Sequence, residues 1–342
     1  MHLDLENFDF LTKDDLRVLT AVEMGSRNHE LVPVNLIESI ANLKQRGTAG
    51  VIIKILHKHK LVFHDSLPYH GYRLTSNGYD CLAVHALRER GVLGHVGRRV
   101  GVGKESDIHE AFPAKEDDFE ASDDEDVEEY VLKIHRLGRT SFRNVKNTRD
   151  YLKKRKTSNW MYLSRLAAEK EFQYASALHA RGFPVPRPVA WNRHAILMER
   201  IDGRPLYKVE FEDFTEEEAV TMLKTIYKII LDLASIGLIH GDLNEFNLMA
   251  NEDADVYVID FPQMVKMDHP NAEFYFDRDI DGVRAFFQKK FGVDCDDEAL
   301  LPTYELAFAL FNETKAKDEA PVLADLEDVV DEDEGLVCEE RD

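Results

Sequence analysis

Ile239-His240-Gly241-Asp242-Leu243-Asn244-Glu245-Phe246-Asn247 is the stretch on which the reading of the fold turns. It follows a long apolar-periodic segment, bends at His-Gly, and sets Asp242 five residues before Asn247. Phosphoryl-transfer loops of the H-R-D-x-x-x-x-N kind have that separation, with a carboxylate for the acceptor hydroxyl and an amide oxygen for Mg²⁺. Thirteen residues further on, V-I-D-F-P closes a β-branched apolar strand at Asp260, where a second hard oxygen ligand belongs. Either piece alone is compatible with ordinary Asp and Asn turn capping. Together they predict Asp242 as the catalytic base and Asn247 with Asp260 as metal ligands.

Upstream, the other requirements of phosphoryl transfer appear in order. Lys133 stands in the apolar strand V-L-K-I-H at 131 to 135, in the register of the V-A-I-K lysine that holds phosphates. A strand-end lysine reaching solvent is the alternative. A buried lysine needs a carboxylate, and Glu171 on the following helix is the expected partner, with Glu169 one helix phase away. Gly101-Val102-Gly103-Lys104-Glu105-Ser106 matches the first two glycines of a phosphate cover, with Ser106 at the third; a plain hairpin turn reads the same. A Walker loop is excluded, because Glu105 follows Gly103-Lys104 and Arg98 holds the leading glycine position. Met198-Glu199-Arg200-Ile201-Asp202-Gly203 reads as a hinge, where the Glu199 carbonyl and the Ile201 N–H would meet an adenine edge, or else as core packing.

The chain has 342 residues, 44% of them hydrophobic, enough for two or three domains with real cores. Its net charge of −22 is uneven. Residues 116 to 129 carry ten carboxylates and no base, and residues 317 to 342 carry twelve against Lys317 and Arg341. Between 40 and 104 the sign reverses, with eleven Lys or Arg against three Asp or Glu. Such a basic stretch in an acidic chain points to a nucleic-acid partner or to a solvated docking face. Cys81, Cys295 and Cys338 are too scattered for a disulfide framework or a zinc site. The acidic start and the lack of a long apolar run fit a soluble intracellular protein.

Periodicity places a small helical module at 1–92: apolar positions from Leu16 to Met24, a second helix after Pro33, a third around Val51 to Leu56, then a hairpin and a further helix at Thr75. Three helices and a hairpin is the winged-helix order, and Lys54, Lys58 and Lys60 on the third helix would be its nucleic-acid contacts. An N-lobe follows at 93–200, interrupted by an acidic insertion at 112–129 and a basic loop at 136–158. A reduced C-lobe occupies 201–315, with helices expected at 215–236, 277–291 and 298–312, and an acidic tail fills 316–342.

Five pieces, G-V-G-K-E-S-D-I at 101–108, L-K-I-H-R-L-G-R-T-S-F at 132–142, G-F-P-V-P-R-P at 182–188, H-G-D-L-N-E-F-N at 240–247 and I-D-F-P-Q at 259–263, together resemble the RIO family of atypical serine/threonine protein kinases. The N-terminal winged helix points to its second subfamily. The resemblance implies an α+β chain with a winged-helix domain and a two-lobed, truncated kinase-like domain. It also implies ATP and Mg²⁺ as cofactors, and a monomeric cytoplasmic factor, able to pass through the nucleus, acting on the precursor of the small (40S) ribosomal subunit, with no membrane partner. Gly241 stands where ordinary kinases have arginine, Pro262 replaces the glycine of D-F-G, no A-P-E appears and 82 residues follow Asp260. ATP hydrolysis or autophosphorylation is therefore expected to outweigh phosphorylation of a separate protein, with Asp260 itself able to accept the phosphoryl group. A scaffold using nucleotide only as a conformational ligand is the competing reading.

Overall fold

The computed structural model describes residues 10–45, 47–67, 69–114, 129–139, 160–293 and 301–317. Most of the acidic insertion, the basic loop and the acidic tail expected from the sequence lies outside the described residues. The chain divides into two compact units, one of residues 1–172 with 188–200 and one of residues 173–187 with 201–342.

The first unit opens with α1 (Lys13–Gly25), whose start is fixed by a reciprocal cap: Thr12 N–H donates to Asp15 at 2.8 Å, and Asp15 N–H donates to the Thr12 hydroxyl at 3.2 Å. Pro33 starts α2 (Val34–Ala41), and α3 (Thr48–Lys58) follows. The hairpin of β1 (Val62–Asp65) and β2 (Gly71–Leu74) is antiparallel and gains a third bridge from Val32 to Tyr72. Thr75 then caps α4 (Ser76–Glu89). This is the winged-helix order. Lys54 and Lys58 lie exposed on α3. Lys60 does not belong to that helix: it follows the His59 cap with a left-handed φ of 59°.

A five-stranded antiparallel sheet completes this unit: β3 (His95–Val102), β4 (Ser106–Phe112), β5 (Tyr130–His135), β6 (Pro188–Asn192) and β7 (Ala195–Glu199), in the order β3-β4-β5-β7-β6. Strand alternation sends Leu132 and Ile134 of β5 to one side, where they share a single core with Val18, Leu19, Ile53 and Leu87 of the helices. Lys133 and His135 point to the other side. The helix α5 (Trp160–His179) starts in this unit, where its Ala168 packs with Ile196 and Met198 of β7.

Charge as well as the shared core joins the winged helix to the sheet. Arg136, just past β5, meets Asp80 of α4 through both guanidinium ends (2.6 and 2.7 Å) and Asp107 of β4 at 3.0 Å. His194 Nε2 is 2.8 Å from the same Asp80. Arg136 was expected in the basic loop; buried ion pairs hold it instead. Next to His194, Arg193 takes a positive φ of 54° and forks onto Glu23 of α1 at 2.6 and 2.8 Å. Burial pushes the Asp80 carboxyl up, but hydrogen bonds from His194 and Arg136 and the Arg136 charge outweigh it and hold it at about 2. Burial drives the His194 imidazole below its usual range, so at neutral pH Arg136 is the cation of this cluster and His194 a neutral donor.

Because an unfolded Asp80 takes up its proton near 3.8 and the folded one near 2, its stabilisation is complete above the first value and lost on acidification through the second. Asp80→Asn should remove roughly 2–3 kcal/mol at neutral pH and flatten the difference between the two proteins' stability curves below about pH 4. Urea unfolding from pH 2 to 7 checks this; parallel curves would contradict it.

The second unit is helical around small strand pairs. The helices α6 (Glu216–Ser235), capped by Thr215 with Glu218, α7 (Ala272–Phe291) and α8 (Tyr304–Ala316) enclose a core that includes Ile226, Leu233, Phe261, Phe276 and Phe287. The first lies within the expected 215–236, one residue shorter at each end, and the second contains the expected 277–291 and starts five residues earlier. The third begins later than expected, because Pro302 lacks the N–H a continuing helix needs and Thr303 takes the cap. Short strands β8 (Arg204–Pro205), β10 (Leu248–Ala250) and β11 (Val256–Val258) form one sheet, and β9 (Leu238–Ile239) pairs with β12 (Val265–Lys266). The loop from 240 to 247 is strung between β9 and β10.

Candidate active site

In the first unit, Lys133 is 7% exposed and its Nζ lies 2.6 Å from Glu171 Oε1. The solvent-reaching alternative is thereby excluded, and so is Glu169, which is half-buried on the next face of α5 with its carboxyl raised by burial. The strands β3 and β4 form a hairpin with Gly101 opposite Ile108 beside a register shift, and with Gly103 N–H donating to the Ser106 carbonyl at 2.7 Å. Lys104 is exposed at its tip and Ser106 half-buried. Met198 is buried at the end of β7, and Glu199 pairs with Tyr130. The chain passes from the first unit to the second between Arg200 and Ile201.

In the second unit, a set of amides surrounds Asp242. Asn247 and Asn244 donate to its backbone carbonyl at 2.8 and 3.0 Å, and Gln263 Nε2 donates to Oδ2 at 3.0 Å. With the Asn247 amide N–H turned to Asp242, its oxygen is the atom left to serve a cation. Ile259 N–H donates to the Asn247 carbonyl at 3.0 Å, tying Asn247 to the strand end that carries Asp260. Asp260 itself is half-buried with φ +73°, a left-handed conformation that costs a non-glycine residue energy and clusters at functional sites. Among the described residues no three His, Cys, Asp or Glu side chains converge as an all-protein metal site. Asn247 and Asp260 offer an amide and a carboxylate oxygen, a set suited to Mg²⁺, which takes one or two carboxylates and completes its shell with phosphate oxygens and water.

Under the loop, Asp279 of α7 accepts from Gly241 N–H at 2.7 Å and Leu243 N–H at 2.9 Å. Burial pushes its carboxyl up to about 7, against these two donors, which favour the charge. Gly241 has φ +74°, and a Cβ there would meet the Gln263 carbonyl at 3.0 Å. The missing arginine thus has a local cause: a side chain at this turn takes a left-handed backbone and presses on the Gln263 carbonyl. Gly241→Ala should cost about 1–2 kcal/mol from the left-handed backbone alone, and by shifting Gln263 should lower turnover more than nucleotide affinity. Thermal unfolding with steady-state kinetics tests this.

Sequence reasoning missed Gln263, Asn244, Asp279 and His135. Gln263 lay inside a quoted motif and His135 two residues from Lys133, so strand alternation could have exposed the latter. Asp279 gave no signal, its partners being backbone.

The fold and these two sets of side chains define a protein-kinase-like chain. A family model described as "RIO domain" matches residues 117–300, and one described as "Rio2, N-terminal" matches residues 8–90. Serine/threonine-protein kinase rio2 of Dictyostelium discoideum is 52% identical over 85% of this chain and 53% of its own length. The RIO-type serine/threonine-protein kinase Rio2 of Methanocaldococcus jannaschii is 38% identical over 80% of this chain and 96% of its own. The crystal structure of the Rio2 kinase-ADP/Mg²⁺-phosphoaspartate complex from Chaetomium thermophilum superposes with a TM-score of 0.76 at 42% identity, covering 95% of this chain and 96% of that one. The chain belongs to the RIO family, in the branch that carries the Rio2 N-terminal domain. It spans about half the length of some curated relatives it matches, the Dictyostelium protein among them.

Proposed function

We propose that this protein is an ATP-dependent atypical serine/threonine kinase and ATPase acting in cytoplasmic maturation of the small ribosomal subunit. The observation that carries the phosphoryl-transfer reading is the buried Lys133–Glu171 pair, since an ion pair so far from water adds little net stability and has a use in holding phosphates. Lys133 holds phosphate oxygens, with Gly101, Gly103, Lys104 and Ser106 covering them and Met198, Glu199 and Ile201 serving the adenine. Asn247 and Asp260 hold Mg²⁺, whose charge offsets that developing on the phosphoryl group. Asp242 takes the proton of a hydroxyl acceptor or of water, whereas transfer to a carboxylate releases none.

The relative crystallised as a phosphoaspartate complex supports an acyl phosphate here, with Asp260 as the acceptor. Only a short tethered segment separates Asp260 from α7, with Met267 N–H bonded to the Gly237 carbonyl at 3.0 Å, which supports a reaction without a phosphorylated activation loop. Incubation with γ-labelled ATP tests the whole reading. Label in free phosphate marks hydrolysis, in an acid-stable ester Ser/Thr phosphorylation, and in a hydroxylamine-sensitive form an aspartyl intermediate; nucleotide bound without label in any of the three would favour the scaffold reading.

The winged helix contributes the ribosomal-particle contact. Its α3 presents Lys54 and Lys58, and beyond it His64 stacks on His70 and Arg73 lies 4.8 Å over the Phe63 ring, a basic and aromatic surface suited to RNA. Lys54→Glu with Lys58→Glu should weaken RNA binding and reduce its salt slope by about two. An unchanged slope would move the contact to protein, where the exposed Val51 and Ile55 of the same helix would serve.

A further inference from the structure

Glu171 faces two partners. Its Oε1 lies 2.6 Å from Lys133 Nζ and its Oε2 lies 2.8 Å from His135 Nε2. All three side chains are buried, His135 and Glu171 almost completely. The His135 approach is close but too oblique for a formed hydrogen bond, and neither His135 Nε2 nor Glu171 Oε2 has a hydrogen-bond partner among the described residues, so this 2.8 Å contact is what each has to answer it. Each would be left stranded by loss of the other, a costly state for a buried polar atom.

The histidine is itself held in place. Its backbone N–H donates to the His194 carbonyl at 2.8 Å, and the next residue, Arg136, is gripped by Asp80 and Asp107. The end of β5 is therefore a fixed support. A glutamate held at one oxygen still turns about its last side-chain torsion, which is broad and nearly two-fold. Held at both, it has one orientation.

We propose that His135 is a positioning residue for the phosphate-holding lysine: its Nε2–H keeps the second oxygen of Glu171 in place so that the first stays on Lys133. The proposal rests on the assignment of Lys133 to the ATP phosphates. It implies that the chain uses a Lys-x-His pair on one strand face, answered by one carboxylate, where Lys and Glu alone would leave the carboxylate free to turn.

The test measures the dissociation constant for Mg-ATP by calorimetry, and kcat, for His135→Phe, His135→Gln, Glu171→Gln and the Phe/Gln double variant of the full chain. His135→Phe should weaken Mg-ATP binding about tenfold with a smaller change in kcat. His135→Gln, whose amide N–H reaches a similar place, should recover most of that loss. In the Glu171→Gln background, His135→Phe should add nothing further. Equal effects of His135→Phe in both backgrounds, or no recovery by Gln in a protein that melts like the wild type, would overturn the proposal. If His135→Phe does not fold, His135→Asn, too short to reach Glu171, takes its place, and wild-type affinity there overturns it equally. Lys133→Ala separates the two levels. Undiminished Mg-ATP affinity in that variant removes the lysine assignment itself, whereas lost affinity beside silent His135 variants removes only the role given to His135.

Discussion

Asp242→Asn is expected to reduce transfer of the γ-phosphoryl group by about 10²- to 10⁴-fold, the usual contribution of a positioned acid or base, with Mg-ATP affinity nearly unchanged. The carboxylate is held by acceptor contacts: Gln263 donates to Oδ2, and Asn247 and Asn244 reach it at 3.3 Å. An asparagine there loses its proton-accepting oxygen at one of those positions and sets an N–H₂ against a donor. The ground-state complex, which relies on Lys133 and the metal ligands, has no reason to weaken. Single-turnover measurements with labelled ATP, alongside calorimetry, separate the two quantities. A variant retaining the wild-type rate would remove Asp242 from the chemistry.

Glu171→Ala should have the largest effect on the folded state itself. It takes from the Lys133 ammonium, 9% exposed at the side chain, the buried carboxylate 2.6 Å away, a change that typically costs about 3–5 kcal/mol. Lys133 would respond by shedding its proton more readily, so the affinity for phosphate falls together with stability. Replacing both members, Lys133→Met with Glu171→Leu, should restore part of the stability, the buried His135 Nε2 left facing an apolar side chain withholding the rest, and none of the nucleotide binding, because packing can substitute for a buried ion pair while only charge holds phosphate. Urea unfolding and calorimetry on the single and double variants give the outcome; a Glu171→Ala protein as stable as the wild type would contradict it.

Much of this was legible in the sequence because the periodic and short-range signals are strong. The winged-helix order followed from three apolar periodicities and a turn-rich hairpin, and α6 was expected at 215–236, close to where it lies. The Lys133–Glu171 pairing was legible because strand register and one helix phase leave few choices for a buried lysine. The start of α8 was read too early, since the apolar pattern near 298 was followed past the stop that Pro302 imposes. Arg136 was read as part of a basic run, yet its fate depends on Asp80, 56 residues earlier. Asp279 escaped for a similar reason: it serves Gly241 and Leu243 through their backbones, and backbone partners leave no trace in residue types. The two-residue strands β8, β9 and β12 are too short to carry any periodicity.

The family models place a boundary between residue 90, where the N-terminal match ends, and residue 117, where the RIO match begins. The Asp80–Arg136 and Glu23–Arg193 contacts run straight across it. A foreign helical module grafted ahead of residue 93 would arrive without either carboxylate, taking from Arg193 its Glu23 contact, from His194 its Asp80 contact and from Arg136 one of its two acids. The two modules are thus matched in charge across that boundary: a change at Asp80 or Glu23 takes an acid from an arginine of the other half.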